Sequence, residues 1–128
     1  MSRGDPADLA LLRLELRRYT TRCDSQQRMI ERADSLREVS RLSSTTVPSS
    51  LYTTMEARDA QRHVVQAAED RAKALINDQI GGWLKAEPEY REKHRANMFE
   101  EWSGMSGTLG HLRTWAQRQF NTAEQNRI

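Results

Sequence analysis

The sequence predicts an all-α protein: a long antiparallel helical hairpin, coiled-coil-like, followed by two shorter helices. Three observations lead there. No Gly or Pro occurs between Pro6 and Pro48, and those are the residues that most readily end a helix. Apolar residues recur at intervals of three and four, the helical period. No segment shows the two-residue alternation of a half-buried strand.

The first helix is signalled by "DPAD". Asp5 suits the N-cap, Pro6 the first helical position, and Asp8 the positive end of the helix dipole. The uninterrupted run then reads as one helix from residue 6 to about 43. Leu9, Leu12, Leu16, Tyr19, Cys23, Gln26 and Ile30 alternate by three and four, as a coiled-coil seam does. The seam then slips, and Met29, Ala33, Leu36, Val39 and Leu42 continue the stripe on a shifted face.

"LSSTTVPSS" ends that helix. Pro48 disfavours helix at Val47 and cannot continue the hydrogen-bond ladder, and the surrounding hydroxyls compete for backbone groups. Residues 43–53, with Val47 and Pro48 at their centre, are therefore expected to form the hairpin turn. The same four hydroxyls, Ser43, Ser44, Thr45 and Thr46, are also candidates for phosphorylation. "TTME" restarts the helix, with Thr53 as N-cap and Glu56 three residues on, a capping box.

The second helix is expected over residues 54–86. Its stripe is Ala57, Ala60, Val64, Ala68, Ala72, Leu75, Gln79 and Trp83, with Val65, Ile76 and Ile80 alongside. Residues 1–86 thus form the hairpin, and residues 87–128 a C-terminal helical segment packing on the hairpin or on a partner. Pro88 opens the third helix, where Tyr90, His94, Met98 and Trp102 fall four apart. "SGMSGTLG" reads as a flexible loop. A fourth helix from about residue 109 sets Leu112, Trp115, Ala116, Phe120 and Ala123 on one side.

Composition narrows the function. Leu, Ile, Val and Phe make up only 22 of the 128 residues, so a thin core and burial of apolar stripes against a partner are expected. The sequence pI of about 9.0 raises the question of nucleic acid. Basic and acidic groups number 9 and 7 over residues 1–48, 5 and 5 over 49–86, and 6 and 6 over 87–128. No segment is a basic patch, so nucleic acid is not an expected partner. The cations are 17 Arg and 3 Lys, a bias that suits bidentate pairing at interfaces.

Catalysis has no foothold. Cys23 is the single cysteine, and it lies on the seam. His63, His94 and His111 are too far apart in sequence to make a metal pair on one helix. Glu100 and Glu101 are sequential, about 100° apart around a helix, and cannot share a proton as a dyad. No P-loop or nucleophile elbow is present. No enzyme activity, metal or cofactor is expected. Candidate partner-interface residues are Leu9, Leu12, Leu16 and Tyr19 on the first seam, with Trp83 and Trp102. The tryptophans have two readings, core of the C-terminal half or anchors in a partner's pocket. No run is apolar enough to span a membrane, and the N-terminus has neither a signal-peptide core nor the acid-free pattern of a transit peptide. Membrane association is expected only through partners.

Three blocks, "LREVSRLSSTTVPSS", "VVQAAEDRAKALINDQI" and "LRTWAQRQFNTAEQNRI", occur in an order that resembles the coiled-coil domain-containing protein 58 family of small helical mitochondrial intermembrane-space proteins. The resemblance covers about a third of the chain. It implies protein import or inner-membrane assembly rather than a catalysed reaction, and no catalytic residues. The chain departs from the family in lacking cysteines in the second and third blocks, which removes the basis for import by oxidative folding. The resulting expectation is a non-enzymatic accessory subunit of a mitochondrial inner-membrane complex, such as a respiratory-chain complex, facing the intermembrane space. The alternatives are a soluble intermembrane-space factor for import or assembly, and a cytoplasmic tethering or scaffold protein.

Overall fold

The computed structural model describes residues 6–127; the expected N-cap, Asp5, lies outside them. The described residues form five α-helices and no strand: α1 (Pro6–Glu31), α2 (Leu36–Leu42), α3 (Met55–Lys85), α4 (Pro88–Ser103) and α5 (Leu112–Gln125), with 3-10 turns at Ser49–Leu51 and Gly107–Leu109. The fold class is all-α, with a long first helix packed against the others and two shorter helices at the end.

The expected single helix over residues 6–43 is broken in two. After α1 the chain closes with 3-10-type bonds, Arg32 N–H to Met29 O and Ala33 N–H to Ile30 O. Helix α2 then restarts on a new N-cap. The Ser35 hydroxyl accepts from Glu38 N–H at 3.2 Å, and the Glu38 carboxylate accepts from Asp34 N–H at 3.3 Å. Ser35-Leu36-Arg37-Glu38 is thus a variant of the capping box, with the Glu38 carboxylate on the N–H of Asp34, the residue before the cap, rather than on that of Ser35. From α3, Arg71 Nε donates to the Ala33 carbonyl at 2.8 Å and satisfies an acceptor that the break leaves free.

That break decides the topology. Along the pair α1 and α3, Ser50 Oγ bonds Glu15, Thr45 connects Gln26 with Gln61, and Ala33 meets Arg71. The two sets of positions rise together, so α1 and α3 run in the same direction. The long hairpin expected to be antiparallel is instead a parallel pair. Its return path is α2, antiparallel to α1, followed by a strap over residues 43–50. Helix α4 runs back along α3, with Trp102 at Gln79 and His94 against Gly82. Helix α5 runs forward again, with His111 at Glu69, Trp115 under Lys73 and Phe120 on Trp83.

The hydroxyl-rich stretch is therefore a strap rather than a tight turn. Gln61 Nε2 donates to Thr45 O at 2.9 Å, and Thr45 Oγ1 donates to Gln26 Oε1 at 3.1 Å. The Ser43 hydroxyl is buried and committed to Ser40 O. Val47 and Pro48 are half-buried, and Val47 packs on the core. Leu51 is fully buried and ends the strap. The cap of α3 is Thr54, one residue after the expected Thr53, with its Oγ1 accepting from Ala57 N–H at 3.3 Å.

Helix α3 is the central element, in contact with each of the other four helices. Its buried face is Ala57, Ala60, Val64, Ala67, Ala68, Ala72, Ile76, Ile80 and Trp83. The small side chains at its N-terminal half let α1 approach closely, and the bulk moves to its C-terminal end. There Phe120 lies 4.7 Å from Trp83, 4.9 Å from Phe99 and 6.4 Å from Trp102, centroid to centroid. These spacings and tilts suit aromatic pairs. The expected flexible loop at residues 103–110 is tied down by Met105 and Leu109, both buried. Gly107 supplies the positive φ of +58° that its 3-10 turn uses.

Candidate interaction surface

The sequence points to interface residues rather than a catalytic cleft, and the structure sorts them into two groups. Trp83 is 2% exposed and Trp102 3% exposed. Both belong to the aromatic core, and the Trp102 indole donates to Gln79 Oε1 at 2.8 Å. They are not surface anchors, because the chain's own α4 and α5 cover them. Tyr19 is buried in the same way on α1. Its hydroxyl has no hydrogen-bond partner of good geometry and lies beside Cys23. Burial, with the Cys23 contact adding to it, pushes the Tyr19 hydroxyl up to about 12. Burial likewise raises the Cys23 thiol above its ordinary value, so Cys23 is a core thiol.

Leu12 and Leu16 are half-buried and pack against the core, while Leu9 is exposed. The reason is the parallel pairing. Ser50 lies at the level of Glu15, and α3 begins only at Met55. The first two turns of α1 therefore extend past the start of α3 with no helix behind them. Leu11 is 65% exposed and Leu14 41% exposed. At 100° per residue they point about 100° and 160° away from the mean direction of Tyr19, Cys23 and Ile30. Tyr52 and Met55 are exposed at the same end. The three-and-four seam of α1 misses Leu11 and Leu14, because it runs through only one of the two leucine stripes on the helix. The signal was in the residues: five leucines within eight positions are too many for one seam.

The same helix carries Arg13, Arg17, Arg18, Arg22 and Arg28, all exposed. None of the five forms an ion pair among the described residues. Arg22 stacks over the Tyr19 ring at 5.2 Å. From Leu9 to Arg22 four arginines face one carboxylate, Glu15, which accepts from Ser50 at 2.6 Å, with Asp8 and Asp24 on the same helix at either end of that stretch. Segment totals hide this excess, because Asp8, Asp24 and Glu31 on the same helix, with the acids beyond it, nearly balance the arginines over residues 1–48. The outward face of α1 is thus a short leucine stripe within a cationic field.

Two concave regions are also present. A groove of about 600 Å³ between α2 and the end of α4 is lined by Ser35, Arg37, Ser40, Asn97, Glu100 and Glu101. A smaller pocket of about 330 Å³ lies between the strap and the 107–109 turn and is lined by hydroxyls, Gln61 and Val65. Among the described residues, no hydroxyl lining either one is hydrogen-bonded to a carboxylate or an imidazole. Among the described residues no group of His, Cys, Asp and Glu is arranged to hold a metal ion, and no helix is long and apolar enough to cross a membrane. The His111–Glu69–Lys73 cluster is an edge contact. Glu69 lies 3.2 Å from Lys73 and 3.6 Å from His111, and its carboxyl is held below its ordinary value, first by the Lys73 hydrogen bond.

Comparison with protein-family models, with curated proteins and with solved structures finds no match to this chain.

Proposed function

We propose that this protein is a non-enzymatic helical accessory subunit, built to present one helix face to a larger assembly. The observation that carries this reading is the outward side of α1, where Leu11 and Leu14 are exposed beside arginines that form no ion pair among the described residues. Isolated surface leucines are ordinary. A contiguous apolar patch flanked by unpaired cations on a projecting helix end is what a docking site requires. The resemblance of the α2–strap block and two further blocks to the coiled-coil domain-containing protein 58 family supports, as the proposed location, a mitochondrial inner-membrane complex on the intermembrane-space side.

A second reading has its own support. The chain closes its own core around Trp83, Trp102 and Phe120, as a factor that folds and acts alone must. This favours a soluble import or assembly factor. Blue-native electrophoresis of mitochondria carrying the tagged protein separates the two. Migration with a complex of high mass supports the accessory subunit, and migration as a small species supports the soluble factor. Absence of the protein from mitochondria removes both locations and leaves the cytoplasmic scaffold.

A further inference from the structure

We propose that the outward face of α1, centred on Leu11 and Leu14 and flanked by Arg17, Arg18 and Arg22, is the docking surface for an acidic amphipathic helix of another protein. The proposal rests on the accessory-subunit reading and names the chemistry of the partner that reading needs. Leu11 and Leu14 are one turn apart on the exposed side of α1, the spacing at which a second helix inserts its own apolar residues. The guanidiniums around them are exposed and without carboxylate partners among the described residues. Charge complementarity therefore calls for carboxylates flanking the partner's apolar stripe.

Other occupants fit less well. A second copy of the chain laid on the same face would set arginine against arginine, at a cost. A lipid surface takes a helix with a broad apolar face and is served equally by Lys and Arg. Here the outward apolar stripe is about one turn long, and every basic residue of α1 is Arg. The planar fork of Arg matches a carboxylate bidentately, which gives an advantage over Lys in a protein interface.

The test is binding of the intact protein to a synthetic three-heptad helix with Leu at its core positions and Glu on both flanks, followed by fluorescence anisotropy. Controls are the same peptide with Lys flanks and vesicles of phosphatidylcholine with phosphatidylglycerol. The Glu-flanked helix is expected to bind saturably and more weakly as salt rises, and the Lys-flanked helix not to bind. Leu11→Ser with Leu14→Ser should weaken binding about tenfold or more, the scale of a lost anchor pair. Arg17→Gln with Arg18→Gln should weaken it and flatten its salt dependence. All four residues are exposed, so the melting temperature should not move; the arginine pair keeps the test valid if the leucine pair disturbs folding. Equal binding of both peptides, or none of the Glu-flanked helix, would overturn the proposal. So would binding to vesicles alone that depends on the same leucines, which would assign the face to membrane. A protein that migrates in a large complex yet ignores the acidic helix would sink this surface while leaving the accessory role intact.

Discussion

Replacing Arg71 tests the reading of the break between α1 and α2. Arg71 reaches from α3, half-buried, to the carbonyl of Ala33, which is 1% exposed and follows the end of α1. Methionine in its place keeps the packing of the aliphatic stem and removes the donor. What is lost is a hydrogen bond from a charged group, and what is left is a desolvated acceptor; together these cost about 1.5–3 kcal/mol. For a domain of this size each kcal/mol moves the melting temperature by about 3–5 °C, so Arg71→Met should melt about 5–15 °C lower. Circular dichroism at 222 nm, a standard helix band, follows it. Arg62→Met is the control. Its guanidinium pairs with Asp59 at 3.0 Å with its side chain 73% exposed, and such pairs contribute within about 1 kcal/mol. If the two variants melt together, the Arg71 bond does not hold the break between α1 and α2.

Other outcomes follow from the same geometry. With Cys23 replaced by Ala, a cysteine pair at Glu15 and Ser50 should be joined by a short bismaleimide. A pair at Arg13 and Leu84, which the expected antiparallel hairpin would bring together, lies about 40 Å or more apart along the parallel pair and should not be joined; linkage of the second pair alone would refute the parallel arrangement. Tyr19 rises by burial from 10.0 to about 12, and Cys23 rises from 9.0. Both are neutral when protonated, and the folded state holds their protons more tightly than the unfolded chain. Their contribution is thus present below pH 9 and lost as pH rises through 9 to 12. The urea midpoint should fall over that window and fall less in Tyr19→Phe; a flat midpoint would contradict the burial argument. At neutral pH Tyr19→Phe should be neutral or slightly stabilising, because the hydroxyl has no good partner to lose. Two glycines with open space around them should respond with opposite signs to alanine. Gly107→Ala forces a side chain onto a φ of +58° and should cost about 1–2 kcal/mol, while Gly81→Ala inside α3 should gain about 0.5–1 kcal/mol. Urea denaturation of the pair checks both.

How far the fold was legible in the sequence depends on the kind of signal. Local punctuation carried well. Pro88 opens α4, the alanine stripe of α3 is its buried face, and helix is absent around Pro48, each because a single residue type dictates the backbone or the burial. The slip of the α1 seam was also visible, but its meaning was not. A slip within one helix and a break between two look alike in apolar spacing, and the arbiter was the variant capping box at Ser35 and Glu38, which has no Gly or Pro to announce it. The consequences of that one break are global. It inserts a reversal of the chain, so α3 returns parallel to α1, and the strap has to run back along α1 to reach the level of Glu15. It also leaves the first turns of α1 beyond the start of α3. Had the pair been antiparallel, the N-terminal turns of α1 would have been matched against the far end of α3, where Trp83 and its aromatic neighbours lie. In the parallel arrangement those aromatics are covered by α4 and α5 instead, and the first turns of α1 are left uncovered. The interface residues chosen on the sequence, Leu9, Leu12, Leu16, Tyr19, Trp83 and Trp102, were chosen by hydrophobicity, which marks core and interface alike. Only the direction of a helix separates the two, and a four-residue cap set that direction.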